Sequence, residues 1–467
     1  MHLSAQFKIL SPDEEDLIWR SILATLGRVG LRIESGEMIE RLIGAGCRAL
    51  GEERVAFPED MVLAYLNDPA GPPVAPRAAS VGGCAEIYAG KLLDPFTGAY
   101  RDWDLDLFTR YVNLARSLPN LSGALMLGCP PRGTDPLQPL YERYYAWKYG
   151  LQCGGSIWET RLCPYLLEMV EAYAEVSGRP VRECFQGNVY IVSPLRLPRN
   201  ECEQFLFFHR HGIRVHIGAL GSIGGGVPVT LAGALTVHFA EQLAAGIIRN
   251  VYFGDKVHGL GTALSPLDMR TCAFRYGRPE SWLCNLAGAQ LARRYGLPTG
   301  GQCGLSDAKA PGYEAGAQKA VSALMTALAT GTGYVAAGLL STDEVFSPVQ
   351  MVLDNELISC LNRALLGFEA TEAEIGLETI EDVGPGGSFL NTDHTAEHFR
   401  TELWSPSLWS GETLPMFLGG GAKTDVDAAL ERVSAVWSEP AAPDPAWRDE
   451  LDRRLVEIIA RAGRERA

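Results

Sequence analysis

The most chemically loaded run in this sequence is Gly304-Leu305-Ser306-Asp307-Ala308-Lys309-Ala310-Pro311, where an acid and a base stand two residues apart. Asp307 and Lys309 could grip a polar substrate group. Equally, Asp307 could cap the following helix with Lys309 paired to it, and the sequence allows both. At or just after the C-terminal ends of short apolar runs stand Trp158, Tyr190, Ser193, His216, Phe253, Gln302, Tyr334 and Phe346, and Phe389 joins them if a last short run is a strand. This set is rich in aromatic rings and thin in carboxylates. Ring faces attract ammonium groups by about 0.5–2 kcal/mol each, so the chemistry indicated is binding of an apolar or quaternary-ammonium ligand. Core packing is the competing role for each ring taken singly.

Other motifs carry less. His209 and His211 fall at a helix end, where the helix dipole favours histidine without any metal. His394 and His398 have the i,i+4 spacing of a zinc pair, but Glu397 sits beside the second histidine and not where H-E-x-x-H needs it. No metal site is expected. The glycine run at residues 221–226 could cradle phosphate, yet it lacks the Lys-Ser/Thr ending of a P-loop. No G-x-S-x-G elbow is present.

The elements that must position these groups alternate. Strand-like runs at 121–127, 152–158, 188–192, 213–217, 250–253, 299–303 and 333–337 are separated by helical patterns at 137–149, 162–176, 201–211, 230–248, 280–295, 313–329 and 348–366. Such alternation predicts parallel βαβ units. Its length favours a closed (β/α)8 barrel over an open sheet, with a short eighth strand at 388–390. The predicted division is an N-terminal helical extension over 1–115, the barrel over 116–403, and a C-terminal extension with a helix over 404–467. Within the first part, Ser11-Pro12 starts a helix, two further helices lie at 37–45 and 58–66, the proline-rich stretch 70–79 is a linker or arm, and 86–88 with 91–93 forms a small hairpin. In the last part the charges at 449–454 and 461–466 predict a solvated helix face with i,i+4 pairs.

Composition removes several function classes. The chain has 467 residues, 41 Lys plus Arg against 56 Asp plus Glu, and a net charge of −15. It therefore lacks the basic footprint of a nucleic-acid binder, and the same charge opposes docking on anionic lipid. Eleven scattered cysteines, none in a C-x-x-C pair, predict neither a disulfide framework nor a zinc ribbon. The N-terminus has no apolar signal region, and the window 230–248 contains His238 and Glu241, so no membrane span is expected. A reducing, cytoplasmic setting is the expectation.

Several runs, in order and spacing, carry a resemblance. They are the SPDEEDLIWRSILATLGRVGLRIES opening, Val192-Ser193-Pro194-Leu195, the stretch Pro228 to Ala234, Leu267 to Thr271, GLSDAKAP, Phe346-Ser347-Pro348, Leu353 to Glu356, Gly384 to Gly387, and His394 to Trp404. Together they resemble the trimethylamine methyltransferase family across nearly the whole chain, in particular its non-pyrrolysine branch. The resemblance implies a (β/α)8 barrel that moves a methyl group from a quaternary, betaine-like amine to Co(I) of a corrinoid, the corrinoid (cobalamin) being supplied by a separate corrinoid-binding protein. It leaves room for a homo-oligomer. Under it, Trp158, Tyr190, His216, Phe253, Gln302, Asp307, Tyr334, Phe346 and Phe389 become candidate substrate-binding residues, and Lys309 or Arg270 could hold a substrate carboxylate. A quaternary nitrogen already leaves as a neutral amine, so the site need only bind, desolvate and aim one methyl.

The chain departs from the family's usual pattern at Gly312, Glu314 and Gly316-Ala317-Gln318, and at Ser388 where the family usually has histidine. An alternative follows from those departures: a catalytically inactive barrel that binds a methylated amine or a corrinoid protein. A metal-dependent hydrolase on the same scaffold is a third reading, which would require bound zinc.

Overall fold

Short β-branched runs alternating with longer amphipathic ones give an α/β chain whose central strands lie parallel. The computed structural model describes residues 7–68, 78–88, 90–132, 135–257 and 259–465. Apart from its last two residues, the proline-rich run 70–79 lies outside the described residues. The central strands are β1 (Ser80–Ile87), β2 (Ala124–Met126), β3 (Gln152–Cys153), β4 (Asn188–Ile191), β5 (His216–Ala219), β6 (Leu260–Thr262), β7 (Thr299–Gly301) and β8 (Thr332–Ala337). β5 resumes as Gly221–Ile223 and β6 as Leu264–Pro266.

Their hydrogen bonding follows chain order. β1 pairs with β2, β2 with β3, β4 with β5, and β6 with β7, all in parallel. The continuations Gly221–Ile223 and Leu264–Pro266 pair in the same sense. β8 returns to β1 over six residues, Thr332 opposite Ser80 through Ala337 opposite Ala85. Single backbone bonds span other neighbours: Asn188 N donates to Gly155 O at 3.0 Å, and Ala336 N to Gly304 O at 3.2 Å. Gly304 has φ +68°, and a Cβ there would lie 1.9 Å from the Tyr334 carbonyl oxygen, so only glycine lets the chain after β7 run this close to β8.

Helices cover these strands. The helix Leu231–Phe253 is long and apolar enough to cross a membrane by composition, but over half of it is buried against other elements, including His238 and Glu241. The N-terminal helix Pro12–Ala24 starts on a Ser11/Glu14 capping box. It packs near the same region, with Trp19 edge-on to Tyr295 at 4.7 Å. Strand Leu31–Ile33 pairs antiparallel with Arg54–Ala56 and parallel with Arg196–Leu197, tying the N-terminal part to the loop after β4.

Four expectations need correction. Residues 86–88 do not begin a hairpin: they end or follow β1, while Lys91–Leu93 pairs with Tyr100–Arg101 and Val345–Phe346. The expected boundary at residue 115 thus falls between β1 and both its partners. Residues 250–253 are the last turn of the Leu231–Phe253 helix, which runs on to its left-handed cap at Gly254. No eighth strand forms at 388–390: Phe389–Asn391 is a single 3₁₀ turn, with Ser388 Oγ accepting from Leu390 N. The terminal helix Asp449–Arg464 is half core, burying Leu451, Leu455, Ile458, Ile459 and Ala462. Its arginines reach the Cys163–Ser177 helix, Arg454 to Glu175 at 2.8 Å and Arg461 to Glu168.

A fully buried ion pair locks the end of β8. Lys319 Nζ lies 2.6 Å from Asp354 Oδ2 and donates to Ala336 O at 2.7 Å. Asp354 also accepts from Gly338 N at 2.8 Å and from Gln350 Nε2 at 2.8 Å. Removing one partner of such a pair strands a buried charge, at a cost of about 3–5 kcal/mol. Lys319→Met should lower stability in denaturant titration by that amount. A loss under about 1 kcal/mol would show that the pair does not anchor this end of the sheet.

Candidate active site

A cavity of about 740 Å³ lies over the C-terminal ends of the parallel strands. Most strand ends contribute: Tyr88 follows β1, Ser156 and Trp158 follow β3, Asn188 and Tyr190 come from β4, Ser222 from the continuation of β5, Gln302 follows β7, and Asp343 follows β8. Tyr88, Trp158, Tyr190 and Tyr276 form aromatic walls. Among the described residues, the lining contains no Lys, Arg or His, and its acids are Glu201 and Asp343.

Tyr276 and Asp343 reach the cavity through Asp307. Asp307 Oδ1 accepts from Tyr276 N at 2.9 Å and from Thr342 Oγ1 at 3.1 Å, while Arg278 Nε stands 3.5 Å from Oδ2. One buried carboxylate thus fixes two distant segments. Tyr276 Oη then donates to Asp343 Oδ2 at 2.9 Å. The turn that carries Asp343 has three consecutive non-glycine residues in the left-handed region, Ser341 (φ 51°), Thr342 (φ 53°) and Asp343 (φ 74°). Each such residue costs of order 1 kcal/mol or more, and such strain clusters at functional sites. Burial pushes the Asp343 carboxyl up to about 6, opposed by the Tyr276 hydroxyl and aided by Glu344.

A second, half-buried acid stands close to Asp343. Burial raises Glu86 on β1 to about 7, a hydrogen bond from Tyr334 opposes the rise, and the Asp343 charge adds to it. Tyr334 also contacts Cys84, and its hydroxyl is held far above the usual phenol range, chiefly by burial. Outside the cavity wall, Glu241 accepts from Ser193 Oγ and from Leu195 N, both at 2.8 Å, and so shapes the loop after β4. Burial raises it too, to about 7, against those two hydrogen bonds.

Of the sequence candidates, Trp158, Tyr190, Ser193 and Gln302 are brought together in the cavity lining. Trp158 and Tyr190 are 45% and 50% exposed, open to a ligand and not packed away. Asp307 is a brace and does not line the cavity; Tyr334 lies on β8 against Glu86 and Cys84. His216 opens β5 and lines an adjoining cavity of about 480 Å³, which shares Tyr190, Ala219, Ala263 and Gln302 with the first and is also lined by Arg249, Asp255 and Lys256. Lys309 and Arg270 are exposed and outside the lining, so neither is placed to hold a substrate carboxylate there. Lys309 Nζ turns back to the Asp307 carbonyl. Phe253 packs on Phe205 and His209, and Phe346 is fully buried against Trp103 and Tyr111. Both are core residues, because the first belongs to a helix and the second to a small outer sheet. Phe389 sits exposed in the C-terminal part.

Sequence reasoning missed Tyr88, Asn188, Tyr276, Asp343 and Glu86. Asn188 opens a strand that was expected, and alternation along β4 places it on the same face as Tyr190. The others had no such signal. Tyr88 and Glu86 depend on β1, whose Gly82-Gly83 weakens any strand pattern, and Tyr276 and Asp343 lie in loops. All eleven cysteines are free thiols.

A family profile described as trimethylamine methyltransferase (MTTB) matches residues 155–466. The trimethylamine methyltransferase MttB of Methanosarcina barkeri is 32% identical over 58% of this chain and 55% of its own, and that of Methanosarcina thermophila 32% over 50% and 49%. The chain therefore spans only about half the length of these relatives. The glycine betaine methyltransferase of Desulfitobacterium hafniense is 27% identical over 99% of this chain and 98% of its own. Among solved structures, the Methanosarcina barkeri monomethylamine methyltransferase MtmB aligns over 96% of this chain and 92% of its own, at 12% identity and a TM-score of 0.40.

The raised acids set a pH dependence. Glu86 and Glu241 favour the protonated form in the fold, so their stabilisation is full below their ordinary value near 4.5 and is lost as pH rises through 7. His238, pulled down to about 4 by burial, acts oppositely but only below its ordinary value near 6.5. Between about pH 6.5 and 8 the Tm should fall by a few degrees. The fall should be shallower in Glu241→Gln, whose amide keeps the Leu195 contact. An equal slope in wild type and variant would mean that Glu241 is already ionised in the fold.

Proposed function

This chain belongs to the trimethylamine methyltransferase family, and from that premise we propose that it moves a methyl group from a quaternary amine to the Co(I) of a corrinoid protein. The observation that carries the reading is the aromatic-walled cavity at the strand ends, which is free of basic side chains among its described lining residues. The scaffold proposed for it is a closed (β/α)8 barrel flanked by an N-terminal helical extension and C-terminal helices. Support for closure comes from the parallel pairing of chain-order neighbours β1–β2–β3, β4–β5 and β6–β7 and from the six-residue return of β8 to β1. A cavity over the C-terminal ends of barrel strands is where that architecture places its reacting groups.

The chemistry asks little acid–base work of the protein. The carbon–nitrogen bond breaks with its electron pair going to nitrogen, a neutral tertiary amine departs, and the methyl carbon bonds to the acceptor metal. A corrinoid carried by a separate protein would supply the Co(I) nucleophile. Exposed Trp158, Val192 and Leu220, at 45%, 48% and 43%, give the cavity mouth an apolar rim that suits a flat macrocycle. The residues of this chain bind the cation by ring faces, replace its water and hold one methyl outward. A reducing cytoplasm suits Co(I), and the free cysteines agree with it.

Mixing the protein anaerobically with cob(I)alamin and glycine betaine, carnitine, choline or trimethylamine, then with a cognate corrinoid protein, tests the reading through loss of the Co(I) absorbance. Turnover of at least one quaternary donor is expected, and none of trimethylamine. Trp158→Ala and Tyr190→Ala should each raise KM by about 3- to 30-fold, the equivalent of 0.5–2 kcal/mol. Silence with every quaternary donor and both acceptors would replace this reading with a binding-only protein.

A further inference from the structure

Asp343 has no cationic partner among the described residues, in contrast to the buried aspartates. Among the described residues the four buried aspartates are all ion-paired: Asp94 with Arg101 at 2.9 Å, Asp255 with Arg249 at 2.6 Å, Asp307 with Arg278 at 3.5 Å and Asp354 with Lys319 at 2.6 Å. Asp343 is half-buried and takes one hydrogen bond, from Tyr276 to Oδ2. Its Oδ1 has no bond from any described residue. A strained turn holds it in the wall of an aromatic cavity. Desolvating a carboxylate without a counter-charge is costly, and a ligand cation would relieve that cost.

The remaining lining sharpens the choice. Glu201 adds a second acid to the lining, and the polar groups besides the acids and tyrosines are neutral: Asn188, Gln204, Gln302 and serines. Gln302 Oε1 is itself buried with no partner. A ligand carboxylate in this space would meet unscreened negative charge with no Lys, Arg or His among the described lining residues to offset it. We infer that the cavity selects a quaternary ammonium head whose substituents carry no carboxylate, such as a choline-type or tetra-alkylammonium cation, with Asp343 as its counter-ion. The assignment rests on the proposed methyl-transfer reading for its biological sense, but the recognition itself is a property of the cavity.

Calorimetric titration of the full chain with choline, tetramethylammonium, glycine betaine and carnitine tests it without any corrinoid. The two plain cations should bind at least about tenfold tighter than the two zwitterions. Asp343→Asn should erase most of that gap, by weakening the cations about tenfold and leaving or improving the zwitterions, while Asp343→Glu keeps it. Should the Asn variant misfold, Asp343→Gly removes the charge on a backbone that the left-handed turn accepts. Tighter zwitterion binding in wild type, unchanged affinities in both neutral variants, or no binding of any of the four at millimolar concentration would each overturn the assignment. The methyl-transfer assay separates the two ideas: a cation preference without Co(I) loss defeats the function, and betaine turnover without a cation preference defeats the counter-ion.

Discussion

A lysine ammonium sealed away from water sets the terms for this fold. Lys319 and Asp354 come from two helices, Tyr313–Thr330 and Pro348–Leu366, and meet beneath the end of β8. Such a pair survives burial only if every remaining donor and acceptor is met. Here the surplus bonds go to backbone, Ala336 O from the lysine and Gly338 N to the aspartate. The chain leaving β8 therefore has little freedom at its root. The left-handed run Ser341–Asp343 follows three residues later, and a rigid root is what allows a strained turn to persist in place of relaxing.

The same logic continues outward. Gly304 brings the chain after β7 against β8, which puts Ser306 and Asp307 beside the turn: Thr342 N bonds to Ser306 O at 3.1 Å and Ser341 N to Ala308 O at 2.8 Å. Asp307 then fastens Tyr276 from the loop after β6. Gln318 closes the arrangement by accepting from Asp307 N and Ser306 Oγ, both at 2.8 Å. The sequence reading noted Gln318 as a departure from the family's usual residues; it is a structural support of the Asp307 segment.

How much of this was readable before the structure depended on the range of the signal. Period-based features emerged well. Runs at 188–192 and 299–303 contain β4 and β7, the run 333–337 covers all but the first residue of β8, and Trp158, Tyr190 and Gln302 fall at strand ends and line one cavity. Features fixed by long-range contact did not. β1 is a strand because it has partners on both sides, not because Ser80-Val81-Gly82-Gly83 favours one. Phe253 looked like a strand end since Val251-Tyr252-Phe253 has high β propensity, but packing on Phe205 kept the helix going one more turn. Asp343 was invisible for a further reason: a left-handed aspartate looks like any loop residue, and only its turn geometry and the missing cation give it meaning.

The two acids near the cavity also constrain each other. Glu86 and Asp343 interact closely enough for the Asp343 charge to help hold the Glu86 proton on. Near neutral pH the deeper acid, at about 7, is partly protonated, while the outer one, at about 6, is mostly ionised. Of these two acids, Asp343 lines the cavity and supplies it with a negative charge that a permanent cation can meet. A quaternary ammonium cannot donate a hydrogen bond, so neutral acceptors such as Asn188 and Gln302 gain little from it. What remains to hold it is ring quadrupole and unscreened charge. Both grow stronger as water leaves, so the expulsion of water that seats the cation also strengthens the forces that bind it.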